Sequence, residues 1–391
     1  MVAIQRLGDD DLLDLAQRTN KLGVLSVYAD TDPRQDLHLQ ATAIDLRNRF
    51  RELQNRVAED ADPDNRRAMA AALDRLWPQV EDLTNPTASG RSRIVFIALE
   101  GDWSLQLDSA LPVANRLVLD DGAFIHPLLE LLDEGRPAGV VVVSTEDARL
   151  LEWRVGSAQL LSRMERRYIE APHERAGQIG GGPKGQFNTP MREQRQARED
   201  ERVERFLDGV VKLAAELARD RGWERMLVSG GEHWTGPIVA RFPDELRDMV
   251  CTDTRVLNGL DDGALATTVT AWAHEQHRER ERRLLQQLRD AAGSGSGVLG
   301  LSEVVAALSV GRVAHLVYDP EVRYVGSLGV DGALYGGDEV GADGRPGTVD
   351  PRFTERLVER ALQTGARISP VEGATRAELS DAAGIGALLR W

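Results

Sequence analysis

The stretch Gly177–Asp200 reads GQIGGGPKGQFNTPMREQRQARED. Five glycines, two prolines, Lys184 and Gln186 fall in it with almost no apolar side chain, so it cannot serve as core. Asn188 and Thr189 are capping residue types and Pro190 suits a first helical turn, which predicts a helix starting there. Its apolar stripe begins only at Val203 and runs through Phe206, Val210, Ala214 and Leu217 to a stop at Gly222. The turns from Met191 to Arg202 therefore have little to bury, and they carry Arg192, Arg195 and Arg198 along one face. A bare loop feeding an arginine-bearing helix is either an unstructured insertion or an element held out by a scaffold.

The flanking sequence reads as that scaffold. Before the loop, AGVVVVSTEDARLLEWRVGSAQLL predicts two strands joined by a tight polar turn. After Gly222 the pattern is strand (RMLVSGG), helix (PIVARFP), strand (DMVCTDT) and a long helix from Gly263 to about Asp290, with AAGSGSG, Ala291 to Gly297, expected as a flexible linker. Farther out, residues 1–136 read as a helix over Asp9–Gln17, a strand GVLSVYAD and helices over Leu37–Ala58 and Asn65–Leu76. Strands SRIVFIA and Arg116–Leu119 and a helix near His126–Leu132 follow. Leu46, Phe50, Leu53 and Val57 mark the buried stripe of the first long helix. In residues 298–391 a helix SEVVAALSVG, a strand AHLVYDP, a helix PRFTERLVERALQTG, a strand ARISPVE and a last run GIGALLRW alternate. Three α/β domains follow, 1–136, 137–292 and 298–391, the last expected as an α/β/α layering.

Composition narrows the function. The chain has 391 residues and a net charge of −15, which argues against bulk attraction to nucleic acid. Between Leu161 and Arg198, however, eight arginines and lysines face four glutamates, among them Arg175 and Lys184. An acidic body with one basic projection suits a protein that sets a single element against RNA. No apolar run is long enough for a bilayer and no secretory signal is recognisable, so a cytoplasmic protein without a membrane partner is expected. Cys251 is alone, which excludes an intramolecular disulfide and a cysteine-built zinc site. His274 and His277 lack the HExxH spacing and a third ligand, and they read as solvated surface. Ser229–Pro237, SGGEHWTGP, reads as a strand-to-helix turn rather than a phosphate loop, and GGGPKGQ is not a Walker A loop. No metal or cofactor is called for.

What remains is Gly185-Gln186 on a glycine-rich loop backed by arginines. Glycine lets backbone pass a crowded wall, arginine neutralises phosphate, and glutamine can bind water without titrating. Beside an ester, a backbone N–H and such a glutamine could stabilise an oxyanion and orient water.

These features together resemble the archaeal and eukaryotic class 1 release factors and Pelota, and their divergent bacterial relatives, which include Vms-type peptidyl-tRNA hydrolases and ribosome-hibernation proteins. The resemblance rests on the order of three α/β domains and on the glycine loop leading into an arginine-rich helix that ends before LVSGG. Its third element is GIGALLRW, Gly384–Trp391, which looks like the closing strand of the third domain. It implies an RNase H-like middle domain carrying the loop, and a third domain similar to kink-turn-binding ribosomal proteins. In release factors the loop tip is Gly-Gly-Gln; here Gly185 and Gln186 match its last two positions, and Lys184 stands where the first glycine would be. The implied role is ribosome-associated hydrolysis of the peptidyl-tRNA ester in rescue or quality control, with Gly185 and Gln186 catalytic. Arg175, Lys184, Arg192, Arg195 and Arg198 would meet RNA. The alternative is a non-catalytic factor that occupies the ribosomal A site in hibernation or recycling, and a nuclease acting near the tRNA end is a third reading. Implied partners are the large subunit with its rRNA and tRNA, with or without a GTPase delivery factor. No codon-reading motif is recognisable.

Overall fold

In the computed structural model, residues 2–32, 36–86, 90–166, 188–329, 332–337 and 348–391 are described. Their contacts form two compact units, Met1–Gly135 together with His274–Trp391, and Arg136–Ala273. All of the sheets carry helices, and the chain is α/β as expected.

The N-terminal segment contains β1 (Val2–Ala3), α1 (Asp9–Gln17), β2 (Thr19–Asp30), α2 (Asp36–Ala58), α3 (Pro63–Asp82), β3 (Ser92–Ala98), β4 (Ser104–Ser109), β5 (Arg116–Gly122) and α4 (His126–Glu134). Its sheet runs β1-β4-β3-β2-β5, with β1 parallel to β4 and the remaining pairs antiparallel. The predicted stripe of Leu46, Phe50, Leu53 and Val57 is buried, and it packs with Leu73, Leu76 and Val80 of α3 on Leu25, Val27, Val95 and Ile97. α3 starts at Pro63 under a cap by the Asp62 carboxylate, 3.0 Å from the Asp64 N–H, and continues past the expected end through Pro78. β4, whose alternation SLQLDS is mostly polar, gives little apolar signal and was not expected as a strand.

The second unit opens with β6 (Ala138–Val143), β7 (Asp147–Arg154) and β8 (Ser157–Glu165), three strands where two were expected. The extra turn is Val155-Gly156, with φ of 46° and 78°, the left-handed pair that a two-residue hairpin requires. A β-branched valine is an unusual occupant there, which hides the turn from sequence reading. Next come α5 (Asn188–Arg221), β9 (Arg225–Ser229), α6 (Glu232–Arg241), α7 (Asp244–Arg247), β10 (Val250–Asp253) and α8 (Asp262–Ser294). The sheet order is β10-β9-β6-β7-β8, with β7 antiparallel to its neighbours and β6, β9 and β10 mutually parallel. β6 is buried along its whole length, and a Cβ on Gly139 would lie 2.2 Å from the Trp223 ring, so glycine is needed for the close approach.

AAGSGSG is not a free linker. α8 continues to Ser294, Gly295 takes φ 80°, and the Ser296 N–H returns to the Ala291 carbonyl at 3.0 Å, closing the helix end in a Schellman-like bond. Strand β11 (Gly297–Leu299) follows at once, then α9 (Leu301–Ser309), β12 (Val313–Tyr318), β13 (Gly326–Leu328), β14 (Leu334–Gly336), β15 (Thr348–Val349), α10 (Phe353–Gln363), β16 (Arg367–Pro370) and β17 (Ile385–Leu389). A four-stranded sheet β11-β17-β12-β16 and a small sheet β14-β13-β15 result. The terminal GIGALL is a central strand. Gly386 has no room for a side chain, since a Cβ would stand 2.7 Å from Leu288.

Candidate functional site

The helix predicted from near Pro190 to the stop at Gly222 is α5, which starts two residues earlier and spans Asn188–Arg221. Arg175, Lys184, Gly185 and Gln186 lie outside the described residues, and Arg192 and Arg195 sit on the helix with side chains outside the description. Arg198 is exposed, as are Gln196, Ala197 and Asp200, whereas Phe206, Leu207, Val210, Val211, Ala214 and Ala218 are buried against the sheet. Among the described side chains the α5 face therefore passes from solvent to core between residues 198 and 206, which matches the predicted onset of the apolar stripe.

The base of this helix start is tied to the strand that leads into the loop. Asp147 is buried at the head of β7. It accepts hydrogen bonds from Arg163 Nε at 2.8 Å and Ser144 Oγ at 2.7 Å, holding β8 in register. Arg166, just past β8, gives its N–H to the Glu146 carbonyl at 2.7 Å and its Nη1 to the Thr145 carbonyl at 3.3 Å. Its Nη2 pairs with Glu199 of α5, and its guanidinium carbon lies 5.9 Å from the centre of the buried Trp234 ring on α6. Glu199 also meets Arg202 at 3.6 Å, and Arg241 of α6 pairs with Glu204 and, at 3.1 Å, with Asp208. Arg166 enters a sequence reading only as one more positive charge, because its partners are distant in the chain.

The other motifs resolve structurally. Ser229–Pro237 is the passage from β9 to α6, with Ser229 Oγ donating to the Arg255 carbonyl at 2.8 Å. Gly230 has φ 157°, and a Cβ there would meet the Val143 carbonyl at 2.7 Å. Cys251 is half-buried in β10. His277 is a correction: it is 4% exposed rather than solvated, with Nδ1 3.0 Å from Arg280 Nη2. His274 Nδ1 lies 2.7 Å from the Glu134 carboxylate. Both belong to a polar junction inside the first unit, where Arg280 bridges to the buried Asp133 carboxylate at 2.8 Å and Ser369 Oγ reaches the same carboxylate at 3.1 Å.

That junction perturbs its acids. Burial, with Glu372 nearby, pushes Glu130 up to about 7, and burial, with Glu134 and Glu281 nearby, pushes Glu372 up to about 7. Burial also raises Glu281, whose carboxylate accepts the Glu372 N–H at 2.7 Å. His126, 2% exposed, hydrogen-bonds Tyr318 Oη through Nδ1 at 2.7 Å. Among the described residues no group of three histidines, cysteines or acids could hold a metal ion, and no helix is long and apolar enough to cross a membrane. The junction packs α4 against α8 and the strand carrying Ser369 through paired polar groups.

The fold defines an α/β protein in which the five-stranded sheet of the second unit carries a long arginine-bearing helix. Residues 124–278, which include this sheet and helix, match the family model for bacterial archaeo-eukaryotic release factor family 10, and this bears out the resemblance to bacterial relatives of the release factors and Pelota. Among solved structures the chain is similar to an archaeal translation termination factor, aRF1, with 17% identity and a TM-score of 0.26 over 100% of this chain and 99% of that one. It is also similar to Dom34 of S. cerevisiae, a translation termination-like factor involved in RNA quality control pathways, with 12% identity and a TM-score of 0.40 over 77% and 79% of the two chains. Pelota of Archaeoglobus fulgidus shares 14% identity at a TM-score of 0.31 over 77% and 79%. No curated protein matches the chain.

Proposed function

We propose that this protein is a ribosome-associated, release-factor-like protein that hydrolyses the peptidyl-tRNA ester in translation rescue or quality control. The observation that carries the reading is the match of residues 124–278 to a release-factor family, a stretch that includes both Gln186 and the start of α5. In this reading the chain works as three parts, and the middle one presents the loop. Gln186 orients water or the ester, and Gly185 permits close backbone approach. Arg175, Lys184, Arg192, Arg195 and Arg198 meet phosphates of rRNA or tRNA. No cofactor is required for such a step, because the donors are backbone and amide groups.

The test is peptide release from stalled ribosomal complexes carrying labelled peptidyl-tRNA. Wild type is expected to release the peptide and Gln186→Ala to lose at least about tenfold in rate, the scale of one lost oxyanion or water-positioning group. Release that persists unchanged in Gln186→Ala removes that residue from catalysis. Tight ribosome binding with no release by wild type would instead identify a non-catalytic A-site factor.

A further inference from the structure

We propose that Arg166 is a positioning residue that holds the start of α5 in its working direction, an inference that rests on the RNA-facing role given to that helix above. Among the described side chains of α5 the first buried one is Phe206, about two turns beyond Arg198. A helix start without a packed face is marginal, because its first N–H groups lack partners and each turn depends on tertiary contacts to persist. The contact available here is electrostatic and planar. The Arg166 side chain is 10% exposed and reaches three separate elements: the Thr145 carbonyl in the β6–β7 turn, the Trp234 ring on α6, and Glu199 on α5. Its own backbone is pinned to Glu146, so the guanidinium hangs from a fixed post. Arg163 on Asp147 fixes the strand that supplies the post. Lysine carries the same charge but cannot donate to a carbonyl, stack on an indole and pair with a carboxylate from one planar group.

Glu199 is the complementary end, and Arg202 braces it from the next turn of the same helix. Force on the exposed turns is thus passed to β8 and α6 at one point, before the apolar stripe takes over. The consequence is directional: Arg198 and the residues N-terminal to it keep a defined bearing without burying any described side chain between residues 196 and 198.

The experiment uses the full chain with Arg166→Ala, Arg166→Lys and Glu199→Gln, read by amide hydrogen exchange and by co-sedimentation with 70S ribosomes across a salt series. In Arg166→Ala, protection over residues 191–199 is expected to fall about tenfold, the scale of a lost charge-assisted bond, while residues 206–218 keep theirs. Glu199→Gln should show the same pattern more weakly, and Arg166→Lys should recover part of the protection. Ribosome affinity should fall with the protection while the slope of affinity against salt is kept, since the phosphate-facing side chains are all still present. Unchanged protection over 191–199 in both Arg166→Ala and Glu199→Gln overturns the proposal. Lost protection with unchanged ribosome binding upholds the positioning role and overturns the RNA-facing reading of α5. Should Arg166→Ala fail to fold, Glu199→Gln alone decides, because Glu199 is at the surface and its replacement is nearly isosteric.

Discussion

Over residues 196–205 the side chains of α5 stay at or near the surface, whereas over residues 277–288 α8 buries His277, Glu281, Leu284, Leu285 and Leu288. Both runs are dense in arginine and glutamate, so charge content does not separate them. Periodicity does. In α8 the buried positions recur at 277, 281, 284, 285 and 288, one helical face, and the polar members of that face have partners: Glu281 accepts the Glu372 N–H, and His277 lies against Arg280. In α5 the corresponding spacing before Val203 is occupied by Gln196, Glu199 and Arg202, whose partners are ionic and half-exposed. A charged helix can therefore be an internal joint or a projection, and what decides is whether the apolar period continues through the charges.

That contrast is broken most severely at Arg280. Replacing it with alanine removes the Arg280 guanidinium from the Asp133 carboxylate, which is 5% exposed, and the expected cost is about 3 kcal/mol, measured as a lowered denaturant midpoint. Titration gives the next effect. Glu130 and Glu372 sit at about 7 in the folded protein against an ordinary 4.5, so the folded state holds more protons between these values. The stability they contribute is complete below about pH 4.5 and is lost as pH rises through 7. Unfolding free energy should fall by up to about 3 kcal/mol for each of the two groups over that window, and the Glu130→Gln, Glu372→Gln double variant should flatten the slope. A steeper or unchanged slope in the double variant would place the linkage elsewhere. Arg198→Glu on α5 should be the mildest for folding, within about 0.5 kcal/mol of wild type, while weakening ribosome co-sedimentation. A large loss of stability there would mean that the start of α5 is packed after all.

Much of this organisation could be read from the chain. The stripe of Leu46, Phe50, Leu53 and Val57, the start of α5 to within two residues and its stop before Gly222 all follow from period and capping, which are local properties. The failures are non-local or concern atypical turns. Val155 in a left-handed hairpin turn concealed β8, and SLQLDS in β4 alternates too weakly to announce a strand. AAGSGSG has the composition of a linker but serves as a helix stop followed by a tightly packed strand, because the same small residues suit both. His277 looked solvated because its surroundings in sequence are charged; its neighbours in space are also charged, but paired. Arg166 could be counted from sequence, yet its grip on Thr145, Trp234 and Glu199 exists only once the strand, turn and helices are assembled.

The place of β17 has a temporal consequence. A ribosome delivers this chain from residue 1 onward, and Arg136–Ala273 is one continuous piece that can close its own sheet as soon as it has emerged. The C-terminal sheet cannot do so, because β17 lies at its centre between β11 and β12 and arrives after every other strand of that sheet. Until then His126 and Asp133 on α4 are without the Tyr318 and Ser369 side chains that this sheet presents to them. The N-terminal sheet, whose strands all lie before Ala123, and the sheet of Arg136–Ala273 can close in turn, whereas α4 meets its buried polar partners only when the C-terminal sheet forms.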